Sequence, residues 1–155
     1  IVMKNKYLSL IIILLITFIA PMLGSYATSS FKEPWYSQLI LPIYNPPSWV
    51  FGPVWTTLYI LMSIAAWLAW RKTSDKKLLS IYIFHLFFNA IWSVLFFGFH
   101  KIGLALIDLM IIIVFIIILM KKYYTKNKLS FYLFLPYFLW SSYALILNYT
   151  IFFLN

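Results

Sequence analysis

Five apolar runs separated by short basic turns leave this chain one kind of architecture. The runs cover approximately residues 7–23, 47–70, 78–97, 102–124 and 129–154. Each is near or above the roughly 20 apolar residues that a helix needs to cross a bilayer. Of 155 residues, 65% are hydrophobic and 10% charged, whereas a soluble domain is about half apolar. A fold in water has nowhere to hide that surface. In lipid the backbone must satisfy its own hydrogen bonds, which makes runs of this length helices. The expectation is an all-α membrane protein, a single bundle of five transmembrane helices over residues 1–155, with no room for a soluble domain.

The net charge of +9 comes from 12 basic residues against 3 acids. A soluble chain so charged would suggest nucleic acid. Here the basic residues lie between apolar runs, so lipid headgroups and orientation explain them better and no nucleic-acid partner is expected. The N-terminus and the second and fourth connections hold ten Lys and Arg, against two in the first and third connections. The positive-inside rule then places the N-terminus in the cytoplasm and the C-terminus opposite. A bacterial cytoplasmic membrane is the expected home, since no Arg- and Ser-rich transit peptide is visible. Met3 is a candidate start. Lys4, Lys6, the first apolar run and Gly24-Ser25-Tyr26-Ala27 also resemble a secretory signal with its cleavage site. The chain lacks cysteine, which removes disulfides, thiolate metal sites and cysteine nucleophiles.

A plain span needs no such entrance as Pro46-Pro47-Ser48-Trp49-Val50-Phe51-Gly52-Pro53-Val54-Trp55-Thr56-Thr57-Leu58-Tyr59. The prolines preset the backbone entering the second helix. Phe51, Trp55 and Tyr59 recur every four residues and share a face. Gly52 and Thr56 lie beside it and leave room for something flat. The pattern reads as an aromatic wall for a planar apolar ligand. The connection 24–46 keeps Trp35, Tyr36, Leu39, Ile40 and Tyr44 among its polar residues. It reads as a lid over the bundle mouth, or as an interfacial anchor.

Polar groups in spans usually face the bundle interior. The third span offers His85, Asn89, Trp92 and Ser93; the fifth offers Tyr137, Ser141, Ala144 and Asn148; the second offers Trp55, Thr56, Tyr59 and Ser63. These stripes line one cavity or bond helix to helix. Asp108 is an interfacial carboxylate near a helix start or a partner at the cavity mouth. His85 is an iron ligand for haem or, as expected, an interhelical hydrogen-bond partner. His100 falls in a turn and is expected to be solvated. With no carboxylate pair, histidine cluster or phosphate loop in the sequence, no metal site and no hydrolase is expected.

Several segments resemble the TspO/translocator protein family, also called the peripheral-type benzodiazepine receptor family. They are Trp35-Tyr36 with Pro42, the stretch Asn45 to Tyr59, Asn89 with Trp92 and Phe96-Phe97-Gly98, Ala105 to Leu109, and Pro136-Tyr137 with Trp140, Ala144 and Leu147-Asn148-Tyr149. The resemblance implies a five-helix membrane bundle, often a homodimer, that binds porphyrins such as protoporphyrin IX. It places the pocket between the second and fifth helices under the first loop. Carried over to this chain, it implies Trp49, Phe51, Trp55, Asn89, Trp92, Trp140 and Ala144 as ligand contacts. It also implies Trp55 and Trp140 as the pair involved where bacterial members break down porphyrin in light. No basic residue follows Leu147 and Tyr149, a departure from the family's cholesterol motif, so a sterol ligand is not expected.

Together these readings give a ligand site of Trp49, Phe51, Gly52, Trp55, Tyr59, His85, Asn89, Trp92, Tyr137, Trp140, Ser141 and Ala144. The expected function is binding and transport of tetrapyrroles, with porphyrin as ligand and no required cofactor. Light- and oxygen-dependent porphyrin degradation through Trp55 and Trp140 is the enzymatic alternative. A ligand-sensing scaffold is the third.

Overall fold

A computed structural model of the chain describes residues 5–155. Met3 and Lys4, read above as a candidate start and as part of the basic count, lie outside them. The described residues form five long helices: α1 (Lys6–Phe31), α2 (Ser48–Thr73), α3 (Lys76–Ser93), α4 (Ile102–Lys126) and α5 (Lys128–Leu154). All five are long and apolar enough to cross a membrane, and no strand occurs among the described residues. The chain is an all-α, multi-pass membrane protein.

Helix starts at the basic end are capped by side chains. Asn5 Oδ1 accepts from the Tyr7 and Leu8 amides at 3.1 and 3.0 Å. Asp75 accepts from the Leu78 amide at 3.1 Å, and Asn127 from the Leu129 amide at 3.1 Å. Each cap satisfies an amide that the helix itself leaves open. Between α2 and α3 the chain turns at Ser74, whose φ of 51° is left-handed.

The helices pack as a ring in the order α1, α3, α4, α5, α2. At the basic end, Trp67 Nε1 donates to the Lys6 carbonyl at 3.0 Å and to Ser9 Oγ at 3.1 Å, joining α2 to α1. Ser130 Oγ donates to the Ala65 carbonyl at 2.7 Å, joining α5 to α2. Midway, Thr17 and Tyr82 share a hydroxyl hydrogen bond of 2.6 Å. At the far end Asn148 receives Trp92 Nε1 at 3.0 Å and donates to the Ile102 carbonyl at 3.2 Å, tying α5 to α3 and α4. Such bonds hold where lipid offers no competing water.

Two features depart from the expected spans. Helix α1 runs on to Phe31, past the expected end at residue 23. Gly24-Ser25-Tyr26-Ala27 stays helical because Gly24 and Ala27 are buried against α3 and its extension. A Cβ at Gly24 would stand 3.0 Å from Ser93 Oγ. The connection is accordingly shorter, with a single 3-10 turn at Tyr36–Gln38. Helix α3 widens into a π-helical turn at Val94–Gly98, a form rare elsewhere and frequent at functional sites.

Replacing Asn148 by Leu strands the Trp92 indole N–H and the Ile102 carbonyl. It is expected to lower the stability of the detergent-solubilised protein by about 1–2 kcal/mol, read as a lower midpoint in thermal circular dichroism.

Candidate functional site

A cavity of about 410 Å³ opens at the end of the bundle where α1, α3 and α5 finish and α2 and α4 begin. Small-molecule sites typically enclose roughly 300–1,000 Å³. From α2 the lining takes Phe51, Gly52, Trp55, Thr56 and Tyr59. A Cβ at Gly52 would meet nothing within 4 Å, so the glycine leaves open space beside the aromatic face. The Trp55 and Tyr59 rings lie 5.7 Å apart at 32°, and Phe51 meets Trp140 edge-on at 6.2 Å.

Helix α3 supplies Asn89, Trp92 and Ser93, and its π-helical turn adds Phe96 and Phe97. The wide turn keeps residues four and five apart on one side, so both phenylalanines stay with Trp92 and Ser93. Trp92 stacks on Phe96 at 5.0 Å and 20°. Helix α5 contributes Trp140, Ser141, Ala144 and Asn148. Helix α1 closes the slot with Ala20, Pro21, Gly24, Ser25 and Thr28, and α4 adds Leu109 and Ile112.

The first connection covers this end. Lys32, Tyr36 and Asn45 reach the cavity from it. Lys32 Nζ lies 4.6 Å over the Tyr36 ring. Burial pushes the Tyr36 phenol above its ordinary pKa, a hydrogen bond from Asn45 works the other way, and the Glu33 charge adds to the rise. The phenol is therefore an uncharged donor at neutral pH. On one side the segment is held by His100, which stacks on Trp35 at 4.2 Å and donates from Nε2 to the Phe31 carbonyl at 2.8 Å. His100 was expected to be solvated; it is exposed, yet it fastens the lid. On the other side Asn155 exchanges two hydrogen bonds with the Ile40 backbone, at 2.9 and 3.0 Å. Tyr143 also donates to the Tyr44 carbonyl.

Of the residues singled out from sequence, Phe51, Gly52, Trp55, Tyr59, Asn89, Trp92, Trp140, Ser141 and Ala144 meet at this cavity. Three do not line it. Trp49 is 76% exposed; two residues before Phe51, it falls about 200° around the helix from that face. His85 and Tyr137 are fully buried behind the wall. His85 Nε2 is 2.6 Å from the Tyr137 hydroxyl and Nδ1 is 3.1 Å from the Tyr82 carbonyl, so neither nitrogen faces the cavity. Asp108 is buried on α4 outside the lining, and its Oδ2 has no partner among the described residues. The α1 wall was missed in the sequence. Its one legible sign is a stripe of small and polar residues, Ala20, Gly24, Ser25 and Thr28, at helical spacing.

The model of the TspO/MBR family matches residues 11–154. The chain belongs to the TspO/MBR family. Its similarity to individual members is even along the chain. It is 34% identical to the tryptophan-rich protein TspO of Archaeoglobus fulgidus, over 85% of this chain and 87% of that one. It is 34% identical to the tryptophan-rich sensory protein of Cereibacter sphaeroides, over 88% and 87%. It is 33% identical to the translocator protein of Homo sapiens, over 86% and 84%. For a TspO/MBR member the α2 stretch and the α3 and α5 stripes thus gather around one hollow.

The two glycines of the wall should respond oppositely to alanine. Gly52→Ala meets open space and should raise helix stability by about 0.5–1 kcal/mol. Gly24→Ala presses on Ser93 and should lower the thermal midpoint in the same detergent.

Proposed function

We propose that this chain binds a tetrapyrrole, protoporphyrin IX or a related haem precursor, in the cavity and moves it within or across the membrane. The observation that carries the reading is the wall itself. Indole, phenol and phenyl rings from α2, α3 and α5 converge on a slot with a glycine-lined gap. A porphyrin is flat and apolar at its middle, and each well-placed ring pair adds about 0.5–1.5 kcal/mol beyond area burial. Its propionates need donors or cations. Lys32 stands at the mouth, and α2 begins there at Ser48, whose preceding residue offers no side-chain cap. An open helix start favours an anion.

The distribution of Lys and Arg puts this mouth on the non-cytoplasmic face. A homodimer in the bacterial cytoplasmic membrane is the assembly we favour, by family resemblance. The names of the relatives, sensory protein and translocator protein, fit either a ligand-regulated or a transporting role.

Because Trp55 and Trp140 both line the cavity, light-driven breakdown of the bound ring is the second reading. Loss of porphyrin absorption under illumination in air, absent in a Trp140→Phe control, would favour it over passive binding.

Spectroscopic titration in detergent tests the main reading. Protoporphyrin IX is expected to quench tryptophan fluorescence saturably, and a sterol is not expected to compete. Trp55→Ala should weaken binding about two- to tenfold, the equivalent of one ring contact. Lys32→Met should weaken protoporphyrin IX but leave its dimethyl ester unaffected. Unsaturable quenching, or equal competition by the sterol, would count against the pocket.

A further inference from the structure

Most tyrosine hydroxyls around the cavity rest against groups that cannot take up a proton. Tyr59 donates to the Asn89 side-chain carbonyl, and Tyr143 to the Tyr44 main-chain carbonyl. Tyr82 shares its hydrogen bond with the Thr17 hydroxyl. Tyr137 differs, since its hydroxyl lies 2.6 Å from an imidazole nitrogen, His85 Nε2. The tautomer follows from the other ring nitrogen. Nδ1 faces the Tyr82 carbonyl at 3.1 Å; a carbonyl only accepts, so Nδ1 carries the proton and Nε2 presents its lone pair. Tyr137 therefore donates to a base, while Asn89 Nδ2 donates to the Tyr137 oxygen at 2.9 Å.

Tyr137 also stands directly behind the cavity wall. Its ring centroid is 6.2 Å from that of Trp55, which lines the cavity. Tyr137 and His85 are both fully excluded from solvent, so no water competes for the phenolic proton.

We propose that Tyr137 and His85 form a proton-coupled redox pair that refills an electron hole made at Trp55. A one-electron oxidant in the cavity, by class a photo-excited ring pigment, takes one electron from the Trp55 indole and leaves its radical cation. Tyr137 then gives one electron to that indole. Its phenolic proton moves along the existing hydrogen bond to His85 Nε2. The products are neutral Trp55, a neutral Tyr137 phenoxyl radical and a His85 imidazolium. One positive charge enters the step on the indole and leaves on the imidazole. The step creates no new charge in the apolar interior, where an added unpaired charge would be costly. Return of one electron to the phenoxyl brings the proton back and resets the pair.

Trp140 supplies the contrast on the same wall. Its Nε1 is buried without a hydrogen-bond partner among the described residues, so an oxidised Trp140 has nowhere local to send its proton. The tyrosine beside it, Tyr143 at 5.5 Å, donates to a carbonyl and has no base. Refilling is thus specific to Trp55, and the two indoles of one cavity differ in redox fate.

The pair rests on the wall geometry and needs no assignment of the cavity ligand, so its test uses none. Ultraviolet laser flash photolysis photoionises the indoles of the detergent-solubilised protein, with a soluble electron acceptor removing the ejected electrons. The expected result is a phase in which indolyl absorption decays as phenoxyl absorption rises. Its rate should not depend on protein concentration and should fall in heavy water. Trp55→Phe and Tyr137→Phe should each abolish it. His85→Gln keeps an acceptor for the phenol but no base, and should slow it on the order of a hundredfold, the usual scale of a positioned base. An unchanged phenoxyl rise in Tyr137→Phe would overturn the proposal. So would the lack of a heavy-water effect in the unaltered protein, a reading that no misfolded variant can obscure. Failure of the porphyrin titration would leave this phase in place, so the two readings fail separately.

Discussion

A polar side chain inside a bilayer has only other protein groups to answer it, and this bundle is arranged around that scarcity. Tyr59, Asn89, Tyr137, His85 and Tyr82 hydrogen-bond in series from the cavity wall into the bundle. The series links α2, α3 and α5, and Tyr82 passes it on to Thr17 of α1. Each member is a donor or acceptor to the next, so removing one exposes its neighbours to an unanswered burial cost. Four of the five helices are thereby held in register at one depth. The hollow sits immediately beyond this belt, where the side chains no longer fill the space between helices.

Much of the architecture was legible because lipid makes sequence rules strict. Runs of apolar residues had to be helices, and period-four aromatics had to share a face. Phe51, Trp55 and Tyr59 therefore fell where expected. Periodicity gives direction but not depth. His85 and Tyr137 lie on inward-facing stripes, as read, yet one layer behind the wall, because Asn89 and Trp55 stand in front of them. Trp49 was carried over on family resemblance, and its position in the first turn of α2 puts it on the far face. The α1 wall was hidden for another reason: Gly24-Ser25-Tyr26-Ala27 reads equally as the end of a span, and only its packing on Ser93 and Gly98 shows that the helix continues.

The lid draws on long-range pairs that no local pattern announces. His100 and Trp35 are far apart in the chain, as are Asn155 and Ile40, yet both pairs fasten one segment over the cavity. Lys32 and Tyr36 enter the site only because these fastenings bring the segment down. The mouth therefore combines a cation, an uncharged phenol and an amide above an apolar slot. A ligand with one acidic edge and a flat apolar body meets both environments at once.

The π-helical turn at Val94–Gly98 sets how this family member tolerates changes in chain length. Such a turn holds one residue more than an α-helical turn would over the same rise. Loss of a single residue there would restore regular winding and swing everything after it by about 100°. Phe96 and Phe97 would then leave the slot, and the tight reversal into α4 would start from the wrong azimuth. Point substitutions at these positions alter a surface, whereas a one-residue deletion re-indexes the end of the helix. The segment is thus a counting device, in which the number of residues matters more than their identity.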